Sequence, residues 1–132
     1  MGSATMKKLD GFEAVGSEVP FMDPNKLVIV GLDEPATAEN WFTHCGRLRD
    51  VKDDDLLDYV EEILAAGKVE NVATGYRDGD KIALLAGRRP TRAARIAWKR
   101  QAEKGVKGKE RVSVRVRIVK GTPEEMYRVN VD

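Results

Sequence analysis

"VENVATGYRDGDKIALLAGRRPTRAARIAWKR", residues 69–100, holds two apolar runs on either side of Asp78-Gly79 and then an abrupt change of period. An Asp-Gly pair between such runs predicts a β-hairpin, "VENVATGY" pairing with "KIALLAG". After the second run, Ala93, Ala94, Ile96, Ala97 and Trp98 supply helix formers and an apolar side as far as about Lys104. Pro90 suits the first turn of that helix, where its missing N–H is not needed and its φ is already helical. A hairpin feeding a helix puts antiparallel neighbours into the sheet. That excludes a doubly wound parallel sheet and points to a mixed α/β domain, a small mixed sheet flanked by helices.

Upstream, "DDDLLDYVEEILAAG", residues 53–67, sets Leu56, Leu57, Val60, Ile63 and Leu64 on one helical face, with aspartates at the start and Gly67 as the stop. Asp53, Asp54 and Asp55 suit a helix N-terminus through the macrodipole, and consecutive carboxylates lack the one-face spacing of a metal site. "KLVIVG", residues 26–31, reads as a buried strand closed by glycine. In the turn-rich stretch that follows, Trp41 and Phe42 are expected as core anchors. The neighbouring His44 and Cys45 do not make a nucleophile and base, because sequence neighbours usually point apart. Residues 1–25 read as a loosely tied arm ending in the "DPN" turn, and "MGSATM" reads either as a vector remnant or as a natural start. Residues 26–132 are expected to form the domain.

Downstream, "GVKGKE" is a turn. "RVSVRVRIV", residues 111–119, alternates polar with β-branched residues, which predicts a strand whose wet face is cationic through Arg111, Arg115 and Arg117. "TPEEM" opens a short helical turn, with Thr122 as cap, Pro123 in first position and two glutamates behind.

The chain has 132 residues, enough for one domain with its own core. Lys and Arg (23) almost balance Asp and Glu (22), so net charge names no polyanionic partner. The distribution says more: acids crowd residues 50–62, whereas residues 88–117 are strongly basic with only Glu103 and Glu110 against them. A single cysteine and a single histidine exclude an internal disulfide and a soft-ligand metal centre. No apolar run approaches the roughly 18 residues of a membrane span, and no secretory leader is visible, so the expectation is a cytoplasmic protein without a membrane partner.

The basic segment holds the candidate site. A helix N-terminus carries backbone N–H groups outside the hydrogen-bond ladder and a positive partial charge, so an anion is stabilised there before any side chain acts. Gly87 permits a close turn, Arg88, Arg89 and Arg92 offer charge-assisted donors, and Thr91 a hydroxyl. Arg95 and Arg49 are candidates for the rim. The plainer reading is that Arg92, Arg95, Lys99 and Arg100 form a solvated face offsetting the acidic helix 53–66.

The succession of an acidic-capped helix ending at Gly67, a strand, the "DGD" hairpin and "LLAGRRPTRAA" resembles the N-terminal domain of ParB-type partition proteins, within the ParB/sulfiredoxin superfamily. The family's box reads Gly-Glu-Arg-Arg-x-Arg-Ala; here it reads Gly87-Arg88-Arg89-Pro90-Thr91-Arg92-Ala93, with Arg88 for the glutamate and Pro90 for the second arginine. The resemblance spans about residues 24–132 in element order, and this box is its specific part. It implies a pocket for CTP or a related nucleotide with Mg²⁺, held by Gly87, Arg88, Arg89, Thr91 and Arg92, in a DNA segregation or DNA-associated regulatory protein that clamps DNA as a homodimer. Plasmid or phage partition falls within the same expectation.

The departures bear on chemistry. "KVENV", residues 68–72, stands where the family has glutamine-proline, which leaves the base open. The family's glutamate-asparagine-x-x-arginine box does not occur in these residues, which argues against efficient hydrolysis and leaves a weak CTPase or NTPase as the enzymatic expectation. Sulfiredoxin chemistry needs a cysteine where Arg88 and Arg89 stand. A nuclease would want clustered carboxylates. The rival is a nucleotide-independent nucleic-acid or protein interaction module, with Arg92, Arg95, Lys99, Arg100, Lys104, Lys107, Lys109 and Arg111 as phosphate contacts.

Overall fold

Leu56, Val60 and Ile63 recur at helical spacing, and all three are buried along α1 (Leu57–Ala66). Leu64 flanks that seam half-buried, while Leu57, expected on the same face, turns outward and is 39% exposed. The helix stops at Gly67, whose left-handed φ of 76° lets its N–H donate to Ile63 O at 2.8 Å. The computed structural model describes residues 8–9, 12–14, 20–43 and 56–131, so Asp53–Asp55, His44, Cys45 and Arg49 lie outside the described residues.

The hairpin forms where the Asp-Gly pair puts it. β5 (Ala73–Asp78) and β6 (Lys81–Ala86) pair antiparallel as far as Asp78↔Lys81, so Gly79, at φ 67°, and Asp80 make the connection. β6 runs into α2 (Arg88–Glu103), which begins two residues before Pro90. Proline is tolerated in that first turn because no intrahelical donor is required of it. β7 (Val114–Lys120) returns parallel to β5 on the side away from β6.

At the other edge β4 (Leu27–Val28) lies parallel to β6. It is shorter than the run 26–31 suggested because the backbone turns: Ile29 N–H donates to Asp33 Oδ2 at 2.7 Å, and Asp33 N–H returns to Ile29 O at 2.8 Å. Residues 1–25, expected as an arm, include β1 (Lys8–Leu9), β2 (Phe12–Ala14) and β3 (Phe21–Met22). β1 pairs with β2, and both β2 and β3 pair antiparallel with β7. The sheet order is β1-β2-β7-β5-β6-β4, a mixed sheet, and the fold is mixed α/β as the hairpin required.

Alternation along the strands divides the core in two. Ile82, Leu84, Val114, Val116 and Ile118 face α1 and α2, where Ala93, Ala94 and Ala97 let α2 lie close. On the opposite face Phe42, Tyr76, Ala83, Leu85, Val119 and Met126 make a smaller cluster. It is covered by the 3₁₀ turn Trp41–Thr43 and by α3 (Pro123–Val131). Phe42 packs on Tyr76 at 5.2 Å and Trp41 on Tyr127 at 5.1 Å, so the aromatic pair anchors this layer, with Trp41 at its edge. α3 starts on a reciprocal capping box: Glu125 N–H donates to Thr122 Oγ1 (3.2 Å) and Thr122 N–H to Glu125 Oε1 (2.9 Å).

One side chain fastens the edge segment to α2. Arg95 Nε donates to Pro24 O (2.9 Å), Nη2 to Leu27 O (2.7 Å), and the two Nη atoms grip Asp33 at 2.9 and 2.7 Å. Burial alone would push the Asp33 carboxyl upward. The hydrogen bonds from Arg95 and from Ile29 N–H, with the Arg95 charge, more than reverse that and hold it below its ordinary value of 3.8. A depressed carboxylate contributes stability that is fully present above its unfolded value and lost as pH falls through the folded one. Arg95→Ala is expected to cost about 1–3 kcal/mol in urea denaturation near neutral pH, because two carbonyls and a carboxylate lose their donor together. The gap between wild type and Asp33→Asn should close as the medium is taken well below pH 4; a gap independent of pH would mean that the carboxylate charge contributes nothing.

Candidate functional site: the basic helix and its first turn

α2 is capped by Gly87, at φ 91° and ψ 22°, with no side-chain cap hydrogen bond and no acid in the first turn. The first intrahelical bond runs from Thr91 N–H to Gly87 O at 3.1 Å. Pro90 has no N–H, so the backbone donors that precede the ladder are those of Arg88 and Arg89. The glycine has a packing reason as well. A Cβ at Gly87 would come within 2.7 Å of Ala73 Cβ and 2.9 Å of Ala73 Cα on β5.

The other expected residues scatter around the helix. Arg89 is exposed and faces the α1 side, near enough to Tyr59 to oppose the rise of its hydroxyl. Burial is the main cause of that rise, a hydrogen bond from Asn71 Nδ2 (3.1 Å) works against it, and the Glu62 charge adds to it. Asn71 is exposed beside Tyr59 of α1. Thr91 is wholly buried with its Oγ1 unpartnered, because the core face of α2 runs through Thr91, Ala94 and Ala97. In this arrangement its hydroxyl does not reach an external ligand.

Spacings of four, three and four put Arg88, Arg92, Arg95 and Lys99 along one stripe of α2. Arg95 is the inward tie already described. Arg100, on the α1 side, bonds Glu61 Oε2 at 2.6 Å, the offset of acidic by basic helix that the plainer reading expected. Arg111 was expected on the wet face of a strand, yet it precedes β7. Its Nε donates to Val106 O (2.7 Å), and its guanidinium lies 4.3 Å from the centre of the Trp98 ring. Arg115 donates to Glu70 O at 2.9 Å. Of the eight cations named for nucleic acid, Arg95, Arg100 and Arg111 are therefore held within the fold, while Lys99, Lys104, Lys107 and Lys109 are exposed.

Two hollows lie away from the first turn. A cavity of about 290 Å³ between the ends of β5 and β7 is lined by Tyr76, Arg77, Lys120 and Met126. The Tyr76 hydroxyl there is pushed up to about 12, by burial first and then by Asp78 and Glu34, so it stays protonated at neutral pH. A larger cleft of about 570 Å³ runs along the outer stripe of α2, between Arg92 and Lys99 and the turn 25–33. Sequence reasoning missed this cleft, since its far wall is Asn25, Leu32 and Asp33, far along the chain from the α2 residues that it faces, with Arg95 tying the two sides across 62 to 71 positions. No family model matches the chain, and neither a curated protein nor a solved structure does.

Gly87→Ala is expected to lower stability by about 2–4 kcal/mol, since the new methyl meets β5 and the left-handed φ strains any L side chain. Arg89→Ala, at an exposed position, should stay within about 0.5 kcal/mol of wild type. Equal midpoints for wild type and Gly87→Ala in thermal unfolding would contradict this geometry.

Proposed function

We propose that this protein is a nucleotide-binding domain of ParB-like kind, which holds the phosphates of CTP or a related nucleoside triphosphate against the first turn of α2. The observation that supports this is the composition of the turn. Cations at the positive end of a helix oppose the macrodipole, and most helices place an acid or a capping hydroxyl there. α3 does so with Thr122 and Glu125; α2 instead carries a bare glycine cap, Arg88, Arg89 and no acid. The backbone N–H groups of that turn and the exposed Arg89 favour an anion, and a triphosphate brings several negative charges to it.

Arg89 is the side chain most able to meet the phosphates, with Arg88 next to it and Gly87 allowing backbone approach. Tyr59 and Asn71 lie on the same side and would meet the remainder of the nucleotide. Mg²⁺ fits here only through the nucleotide's own oxygens, because the first turn of α2 supplies no carboxylate. The role we assign is a ligand-responsive one in DNA segregation or in DNA-associated regulation.

Isothermal titration of CTP, ATP, GTP and UTP with Mg²⁺ tests the reading. One nucleotide should give saturable heat, and Arg89→Ala should weaken it about tenfold or more, the scale of a charge-assisted contact. No heat with any of the four, or binding indifferent to Arg89, would overturn it.

A further inference from the structure

We infer that the cleft along the outer stripe of α2 binds a nucleotide unit, a nucleobase ring carrying a phosphate, either as a free mononucleotide or as one residue of a single strand. This site is separate from the first turn of α2 and does not rest on the triphosphate reading. The cleft, at about 570 Å³, is in the size range of small-ligand pockets.

Its charge is lopsided. The one acid in its lining, Asp33, is gripped by both Nη atoms of Arg95 at 2.9 and 2.7 Å, so that pair contributes a neutral, fixed floor. What remains is the cationic end at Lys99. Lys99 is exposed and has no salt-bridge partner among the described residues, not even Glu103 four positions on. An anion entering the cleft at that end therefore meets a positive charge that no acid among the described residues pairs.

The walls are apolar and in part aromatic. Trp98 lines the cleft half-buried, its ring held by the Arg111 guanidinium at 4.3 Å, which limits its rotation. Ile96 and the 55%-exposed Leu32 complete the apolar surface. A flat ring with a phosphate at its edge satisfies both halves of this lining at once: the ring covers Trp98, Ile96 and Leu32 while the phosphate reaches Lys99. Inorganic phosphate would use only the cations, and an uncharged aromatic only the walls.

Trp98 supplies the readout. In a Trp41→Phe background it is the sole tryptophan, and its emission can be titrated with nucleoside 5′-monophosphates and with a short oligothymidylate. Saturable quenching is expected with at least one of the two, and which one responds identifies the source. Lys99→Glu, at an exposed position and checked for folding by circular dichroism, should weaken that binding about tenfold or more. Arg89→Ala should leave the quenching unchanged, whatever it does to triphosphate heat. The inference is overturned if neither ligand quenches, if Lys99→Glu has no effect, if Arg89→Ala removes the signal, or if polyglutamate quenches as well as the nucleotides.

Discussion

The contact between Gly87 and Ala73 decides where α2 and its basic residues sit. With a Cβ excluded at 2.7 Å, the chain leaves β6, turns through a left-handed residue and starts a helix with no room for a capping side chain. The same close approach continues along α2, where Ala93, Ala94 and Ala97 keep the helix low on the sheet. A bulkier core face would lift α2 away from β5 and carry the first turn and the outer stripe with it. The bare cap is thus a consequence of packing as well as a feature open to a ligand, and the two roles constrain each other. Glycine is fixed there by β5, so the only freedom left to the sequence in tuning the turn lies in the residues that follow it.

Much of the fold was legible because its signals are local. The α1 stripe, the Gly67 stop, the Asp-Gly hairpin, the alternation through β7 and the capping box of α3 are each written within a dozen residues, at the spacing their geometry demands. What failed to show was set by distant partners. β4 is cut short by a turn in which Asp33 accepts from Ile29, and Asp33 is in turn held by Arg95 across 62 positions. Nothing in "RAARIAWKR" marks Arg95 as an inward tie, because its spacing equals that of Arg88, Arg92 and Lys99. Arg111 reads as the first residue of an alternating strand, yet Trp98 and the carbonyl of Val106 draw it back over α2.

The candidate site was legible to a lesser degree, for the same reason. Gly87, Arg88 and Arg89 adjoin the turn that the sequence pointed to, but Thr91 was assigned by proximity alone, and one helical turn is enough to carry a side chain from ligand to core. Its hydroxyl is buried and unpartnered on the apolar seam of α2. Arg92 follows the first turn in sequence yet lines the wall of the cleft.

The basic residues of α2 consequently do different work at different angles. Toward α1, Arg100 pairs with Glu61 at the surface, while toward the edge strand Arg95 neutralises Asp33 in a partly buried tie; both link the helix to its neighbours. Exposed cations on α2 stand apart from those two ties at Arg89 in the first turn and at Lys99, separated by about three turns of helix, or roughly 15 Å. That separation is longer than the Debye length at physiological salt, about 8 Å, so the two fields are largely independent across solvent. An anion at one end does little to repel or recruit an anion at the other through charge alone. Any coupling between them would have to pass through α2 itself, whose position is set by Gly87 on Ala73 at one end and by the Arg95 tie in the middle.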